Sequence, residues 1–192
     1  MVRTENLGIE VDETKRETWV PVGPKYYLLL KKWWDNFGLV GNGMMIGARD
    51  SIWKKSHEKL KKLYPTVGEI FSVDMYGDCD LVWDITLPIE KFHNKTVIDG
   101  LNINWIVCQS TFEHIDDPMS AMKNLMAVLK EQGLLYLHTC GPGVEEHKYP
   151  IDCYRFLRDS LIAFANKTES KIEDILWTEK YCYAVYRKME VY

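Results

Sequence analysis

Short apolar stretches of this 192-residue chain each end in residues that could meet a ligand. Gly47, Ala48 and Arg49 follow Met44–Ile46. Asp74 and Met75 close EIFSVDM, and Asp84 and Ile85 close DLVWDI. Gln109 and Ser110 follow WIVC, with Thr111, Phe112, Glu113 and His114 next. Cys140, Gly141, Pro142 and Gly143 follow LLYLHT. A glycine in a first strand-to-helix turn lets backbone approach a ligand closely. A carboxylate closing a second strand can accept hydrogen bonds from both hydroxyls of a ribose. A carboxylate after a third strand could meet an adenine amino group. Each residue alone is weak, since Asp is common at strand ends as a turn former or helix cap. In this order they point to an adenosyl ligand.

The elements that must carry these residues follow from periodicity. Tyr26, Leu30, Trp33 and Phe37 recur at helical spacing, with Gly38 as a stop. Gly41-Asn42-Gly43 is expected to turn, and Met44–Ile46 to form a first strand. A Lys-rich helix is expected over 51–64, ended by Pro65. Glu69–Met75, Asp80–Ile85 and Trp105–Cys108 read as strands two to four. Asp117-Pro118 starts a helix, with Asp as cap and Pro at the first position. Met122, Leu125, Met126 and Leu129 form its stripe, and Gly133 is expected to end it. Leu134–Thr139 is apolar throughout, as for a strand buried on both faces. A helix over 160–166 and a final strand, YCYAVYRK, complete the chain. The alternation predicts an α/β Rossmann-like three-layer sandwich: a mostly parallel sheet with helices on both faces. It reads as one domain. Residues 1–40 would be an arm and helix covering the acceptor, 43–143 a cofactor-binding core, and 144–192 an acceptor-side segment and last strand.

Composition bounds the function classes. Hydrophobic residues make up 46% and charged residues 27%, which excludes a largely disordered chain. The net charge of −4 argues against a broad nucleic-acid face, although Lys54, Lys55, Lys59, Lys61 and Lys62 gather on one predicted helix. No apolar run is long enough to cross a membrane, and the first residues do not read as a secretory signal. Five scattered cysteines with no CxxC imply reduced thiols in a cytoplasmic protein, without a zinc site or other metal.

The stretch VCQSTFEHIDDPMSAMKNLMAVLKEQGLLYLHTC resembles the fourth strand, following helix and fifth strand of the class I S-adenosylmethionine-dependent methyltransferases, in particular small ones with an EHI-DP signature. MMIGARD resembles a divergent form of that family's glycine motif. FSVDM is similar to its second-strand acidic motif, and DLVWDITLP to its third motif. The resemblance covers roughly 43–143. It implies S-adenosyl-L-methionine as cofactor and S-adenosyl-L-homocysteine as product. It places Gly47 at the methionine part, Asp74 at the ribose, Asp84 and Ile85 at the adenine, and Gln109 and Ser110 near the sulfonium, with Ala48, Arg49 and Met75 as further cofactor-binding residues. About ten positions separate Asp74 from Asp84, so a short loop is expected where the family has a helix.

HKYPIDCYRF is similar to a stretch after the fifth strand in some of these enzymes. His147, Asp152, Tyr154 and Arg155 could form a polar cluster over the methyl group, with His147 as general base toward a hydroxyl. In the plainer alternative, Asp152 and Arg155 pair and fix the loop. For His114 a structural role at the turn is favoured. The expected reaction is methyl transfer to a small-molecule acceptor, by analogy a hydroxyl of a sugar or sugar-linked metabolite. The alternative is a methyltransferase-fold binding or scaffold protein without catalysis, since the glycine motif keeps a single glycine. A nicotinamide dinucleotide domain fits poorly, because an apolar run separates Gly43 from Gly47.

Overall fold

The computed structural model describes residues 24–48, 57–58, 60–148 and 151–190, with backbone alone for 24–30. Seven strands form one sheet: β1 (Gly41–Ile46), β2 (Val67–Asp74), β3 (Leu81–Val82), β4 (Ile103–Gln109), β5 (Leu134–Cys140), β6 (Ser170–Trp177) and β7 (Tyr181–Lys188). Their order is β3-β2-β1-β4-β5-β7-β6. Only β7 runs antiparallel, pairing with both β5 and β6. The chain leaves β1 for β2 on one side and returns to β4 on the other. That switch point opens a crevice beyond the carboxyl ends of β1 and β4, where ligands bind in such sheets.

Helices cover both faces, as the pattern predicted. On one face α1 (Pro24–Phe37) and the helical residues around Leu60 meet Met45, Trp105, Val107, Tyr136 and Val185. Trp33 and Trp34 of α1 are buried there; Trp33 Nε1 donates to Asp174 at 2.5 Å. On the other face α2 (Lys95–Leu101), α3 (Pro118–Val128) and α4 (Arg158–Thr168) supply Leu101, Ala121, Met122, Leu125, Met126, Leu161 and Phe164 to a second apolar cluster. Both faces of β5 are buried, which explains its continuous apolar sequence.

Several expectations change. Gly41-Asn42-Gly43 is the start of β1 and not a turn. Register shifts occur there against both neighbours, and Gly41 has φ +74°. A Cβ at Gly43 would fall 2.1 Å from the Trp105 ring, so packing of that indole demands the glycine. Strand β3 keeps only two residues; Trp83, Asp84 and Ile85 leave it as loop. Helix α3 stops at Val128, short of Gly133, because Leu129 turns extended and Lys130 N–H donates to Ile103 O at 2.8 Å. Its start is as expected: the Asp117 carboxylate accepts from Ser120 N–H at 3.0 Å. Helix α2 and strand β6 were not foreseen. Asn94 caps α2 by accepting from Val97 N–H at 3.0 Å. The Lys-rich helix is helical at its described positions 57–58 and 60–63, while Lys54, Lys55 and Lys59 lie outside the described residues.

Candidate active site

A cavity of about 210 Å³ opens at the carboxyl ends of β1, β2 and β4. Its walls include Gly47 after β1, Asp74 and Met75 at the end of β2, Asp84 and Ile85 after β3, and Ser110 after β4. Six residues singled out from sequence thus meet around one space. Ala48 is fully buried behind Gly47 in the α1-side core. Gln109 is not part of the wall, and Arg49 lies outside the described residues.

Backbone geometry prepares the walls. Gly47 has φ +75°, and its N–H donates to Val73 O at 2.9 Å. A Cβ there would lie 2.5 Å from Thr111 Oγ1, whose hydroxyl is turned to Gln109 O. The turn between β1 and the next helix is therefore closed to any side chain, and a ligand can approach its backbone. Ser110 has φ +47°, a conformation non-glycine residues seldom adopt and one that gathers at functional sites. It is held by its N–H on His138 O at 3.0 Å and by its hydroxyl 3.2 Å from His138 Nδ1. Burial pulls His138 down to about 3, so this imidazole is neutral at working pH and serves as a dipolar support.

The two carboxylates are held by their own loops. Asp74, 9% exposed, accepts from Tyr76 N–H at 3.0 Å through Oδ1. Asp84 Oδ1 accepts from Thr86 N–H at 3.0 Å and Thr86 Oγ1 at 2.7 Å. Trp83 N–H donates to Asp74 O at 2.9 Å, which joins the two loops. Asn124 of α3 fixes Ile85 by donating to its carbonyl at 2.9 Å. The same lining includes the apolar and aromatic side chains Met75, Tyr76, Trp83 and Ile85.

The opposite side is built from the segment after β4 and the segment after β5. Sequence reasoning favoured a structural role for His114, named Thr111 only among the residues after strand four and passed over Ile115, yet all three line the cavity. Glu113 O accepts from Cys153 N–H at 2.7 Å and Tyr154 N–H at 3.2 Å. Tyr154 Oη donates to Asp116 O at 2.9 Å. These bonds zip residues 151–156 to the turn at Phe112–His114, and His147 comes edge-on to His114 with ring centres 5.0 Å apart. His147 is beside the cavity wall and not in it.

Asp152 and Arg155 face each other. Arg155 Nη1 and Nη2 donate to Asp152 Oδ1 and Oδ2 at 2.5 and 2.6 Å. The remaining guanidinium N–H groups go to the carbonyls of Val144, Tyr154 and Glu145. His147 N–H donates to Asp152 Oδ2 at 2.7 Å. The Arg155 guanidinium, with these amide bonds, holds the Asp152 carboxyl well below the usual carboxylate range. The Asp152 side chain is 2% exposed, and the pair has no donor left for a substrate. Its geometry is that of a clamp on the loop that carries His147.

No family model and no curated protein sequence matches this chain. Solved structures do. The N-methyltransferase NodS from Bradyrhizobium japonicum, in complex with S-adenosyl-L-homocysteine, covers 93% of this chain with 93% of its own, at 16% identity and TM-score 0.60. The chain has the methyltransferase fold. An S-adenosylmethionine-dependent methyltransferase from Clostridium acetobutylicum covers 97% of this chain with 95% of its own, at 9% identity and TM-score 0.59. A chain of the complex between the Haloferax volcanii Trm112 methyltransferase activator and a putative methyltransferase covers 86% with 91% of its own, at 13% identity and TM-score 0.62. Among the described residues no helix is long and apolar enough to cross a membrane.

Proposed function

We propose that this protein is an S-adenosyl-L-methionine-dependent methyltransferase acting on a small-molecule acceptor. The observation that carries the reading is the meeting of Gly47, Asp74, Asp84 and Ser110 around one cavity at the switch point. Asp74 accepts the ribose hydroxyls, Met75 and Ile85 flank the adenine, and the Asp84 carboxylate takes its amino group. Gly47 leaves room for the methionine part.

Methyl transfer needs an acceptor atom in line with the sulfur–methyl bond, so positioning supplies much of the rate. The acceptor, a hydroxylated compound such as a sugar, lies against the His114–His147 side, where its proton must leave. Asp152 and Arg155 are positioning residues in this reading, since they hold the His147 loop and touch nothing in the cavity. The five cysteines form no disulfide, which suits a reducing, cytoplasmic setting.

Calorimetric titration with S-adenosyl-L-methionine and S-adenosyl-L-homocysteine tests the reading. Both should bind, and Asp74→Ala should weaken them by about 1.5–3 kcal/mol, the range for hydrogen bonds to a charged group. Folded protein that binds neither ligand would return the chain to the scaffold reading.

A further inference from the structure

Glu113, His114 and His147 each bring one ligand atom within 4.8 Å of the other two. They arrive from separate segments, the turn after β4 and the loop after β5. Two observations besides proximity point to a cation.

The first is the state of Glu113. This residue is 0% exposed. Oε2 accepts from Thr139 Oγ1 at 2.8 Å and Oε1 from Cys140 Sγ at 3.1 Å. The two donors are a hydroxyl and a thiol, neither of which brings a positive charge to the carboxylate. Among the described residues no basic side chain comes within salt-bridge distance of Glu113; the Arg155 guanidinium feels its charge but gives its hydrogen bonds to Asp152 and to backbone carbonyls. Buried carboxylates are ordinarily paired or bound to a metal, because an isolated one is costly. Thr139 and Cys140 each leave a lone pair on the oxygen they bond, and they fix the carboxylate plane.

The second is the direction of the two imidazoles. His114 Nδ1 lies 2.6 Å from Ile151 O, and His147 Nδ1 lies 3.1 Å from Glu145 O. A ring nitrogen facing a carbonyl carries the proton, so in each neutral ring Nε2 keeps the lone pair. Metal-ligating histidines are oriented in this way, with the other ring N–H on a carbonyl. The Asp152–Arg155 clamp then acquires a purpose, since it holds the loop that bears one ligand.

We propose that Glu113, His114 and His147 bind a divalent first-row transition cation beside the cofactor cavity. Two nitrogens and one carboxylate suit Zn²⁺ and its neighbours better than Mg²⁺ or Ca²⁺, which prefer all-oxygen shells. Three protein ligands leave a position open, and His114 also lines the cavity. The use of that position rests on the methyltransferase reading above. An acceptor hydroxyl bound to the cation becomes more acidic and releases its proton to water. The oxygen then forms a bond to the sulfonium methyl carbon. The carbon–sulfur bond breaks, its electron pair goes to sulfur, and the products are a methyl ether and S-adenosyl-L-homocysteine.

Co²⁺ titration of the chelator-treated full-length protein tests the site. The expected result is saturable binding with the strong visible absorption of a low-coordinate Co²⁺ ion, displaced by Zn²⁺. His147→Ala, on an exposed loop, should abolish that absorption, and Glu113→Gln should weaken binding by about tenfold or more. An equal spectrum in His147→Ala, or no spectrum in the native protein, overturns the site. S-adenosyl-L-homocysteine is titrated in parallel. Its binding without a cobalt spectrum removes the metal and keeps the cofactor. A cobalt spectrum without its binding keeps the metal and removes the cofactor.

Discussion

The two sides of the cavity are built by different means. On the β2–β3 side each carboxylate is held by an amide two residues along its own loop, Asp74 by Tyr76 and Asp84 by Thr86. On the other side the partners are far apart in the chain: Glu113 with Thr139 and Cys140, His114 with Ile151, and Tyr154 with Asp116. The first side is a property of short segments that any correct sheet would display. The second exists only when two loops are docked together. Cofactor recognition should therefore survive perturbations that disorganise the acceptor side.

The largest effect is expected at the point shared by both sides. Gly47→Val places a branched side chain at φ +75° and against Thr111, the residue that begins the acceptor side. Strain of this kind costs about 1–3 kcal/mol before any steric loss. Calorimetry should find S-adenosyl-L-homocysteine binding lost, and chemical unfolding should find a lower midpoint. A variant that binds normally would break the placement of the cavity.

Asp152→Asn separates the sides. The folded Asp152 carboxyl is held below its usual value, so its ionised form stabilises the fold above the unfolded pKa, near 4, and that contribution is lost as pH falls below it. At pH 7 the variant should unfold at lower denaturant than the native protein, and the gap should begin to narrow near pH 4 and keep narrowing as pH falls further toward the depressed folded value. Its affinity for S-adenosyl-L-homocysteine should stay unchanged. A matching loss of affinity would show that the two sides are coupled.

Asp84→Ala should give the smallest change. It removes one acceptor from the adenine end, at about 1 kcal/mol, or roughly fivefold in affinity. Stability should move little, because the bonds it deletes lie within one loop. A large fall in stability would mean that this side, too, depends on distant contacts.

The same contrast governs how much could be read from the sequence. Strands β2, β4, β5 and β7 announce themselves by apolar runs, and the cap at Asp117-Pro118 is a local device. Gly47, Asp74, Asp84 and Ser110 sit directly after such runs, so finding the strands found the residues. Strand β6, SKIEDILW, is half-exposed and carries charges, and its pattern is broken by a register shift between Ile172 and Asp174. Helix α2 is seven residues long, with Leu101 its one buried side chain. Neither has enough periodicity to be seen. The sequence window at Gly41–Gly43 looked like a turn because the reason for its glycines, the Trp105 ring, lies some sixty residues away. Likewise nothing in the neighbourhood of Glu113 indicates that its carboxylate will be buried against β5. Burial, pairing and the His114–His147 contact are tertiary facts, and two glutamates with identical neighbours would read the same.

The position of β7 sets an order of events for the growing chain. Strand β6 emerges first, but its one ladder partner in the sheet is β7, and β7 alone joins it to β5. Residues 170–177 consequently have no seat until 181–188 has been made, and until then β5 presents an open edge. The two strands, linked through the tight turn in which Thr178 N–H donates to Tyr181 O at 2.8 Å, must dock as one hairpin. During synthesis β5 is the surface a chaperone would need to guard, and amide exchange in β6 and β7 should rise and fall together.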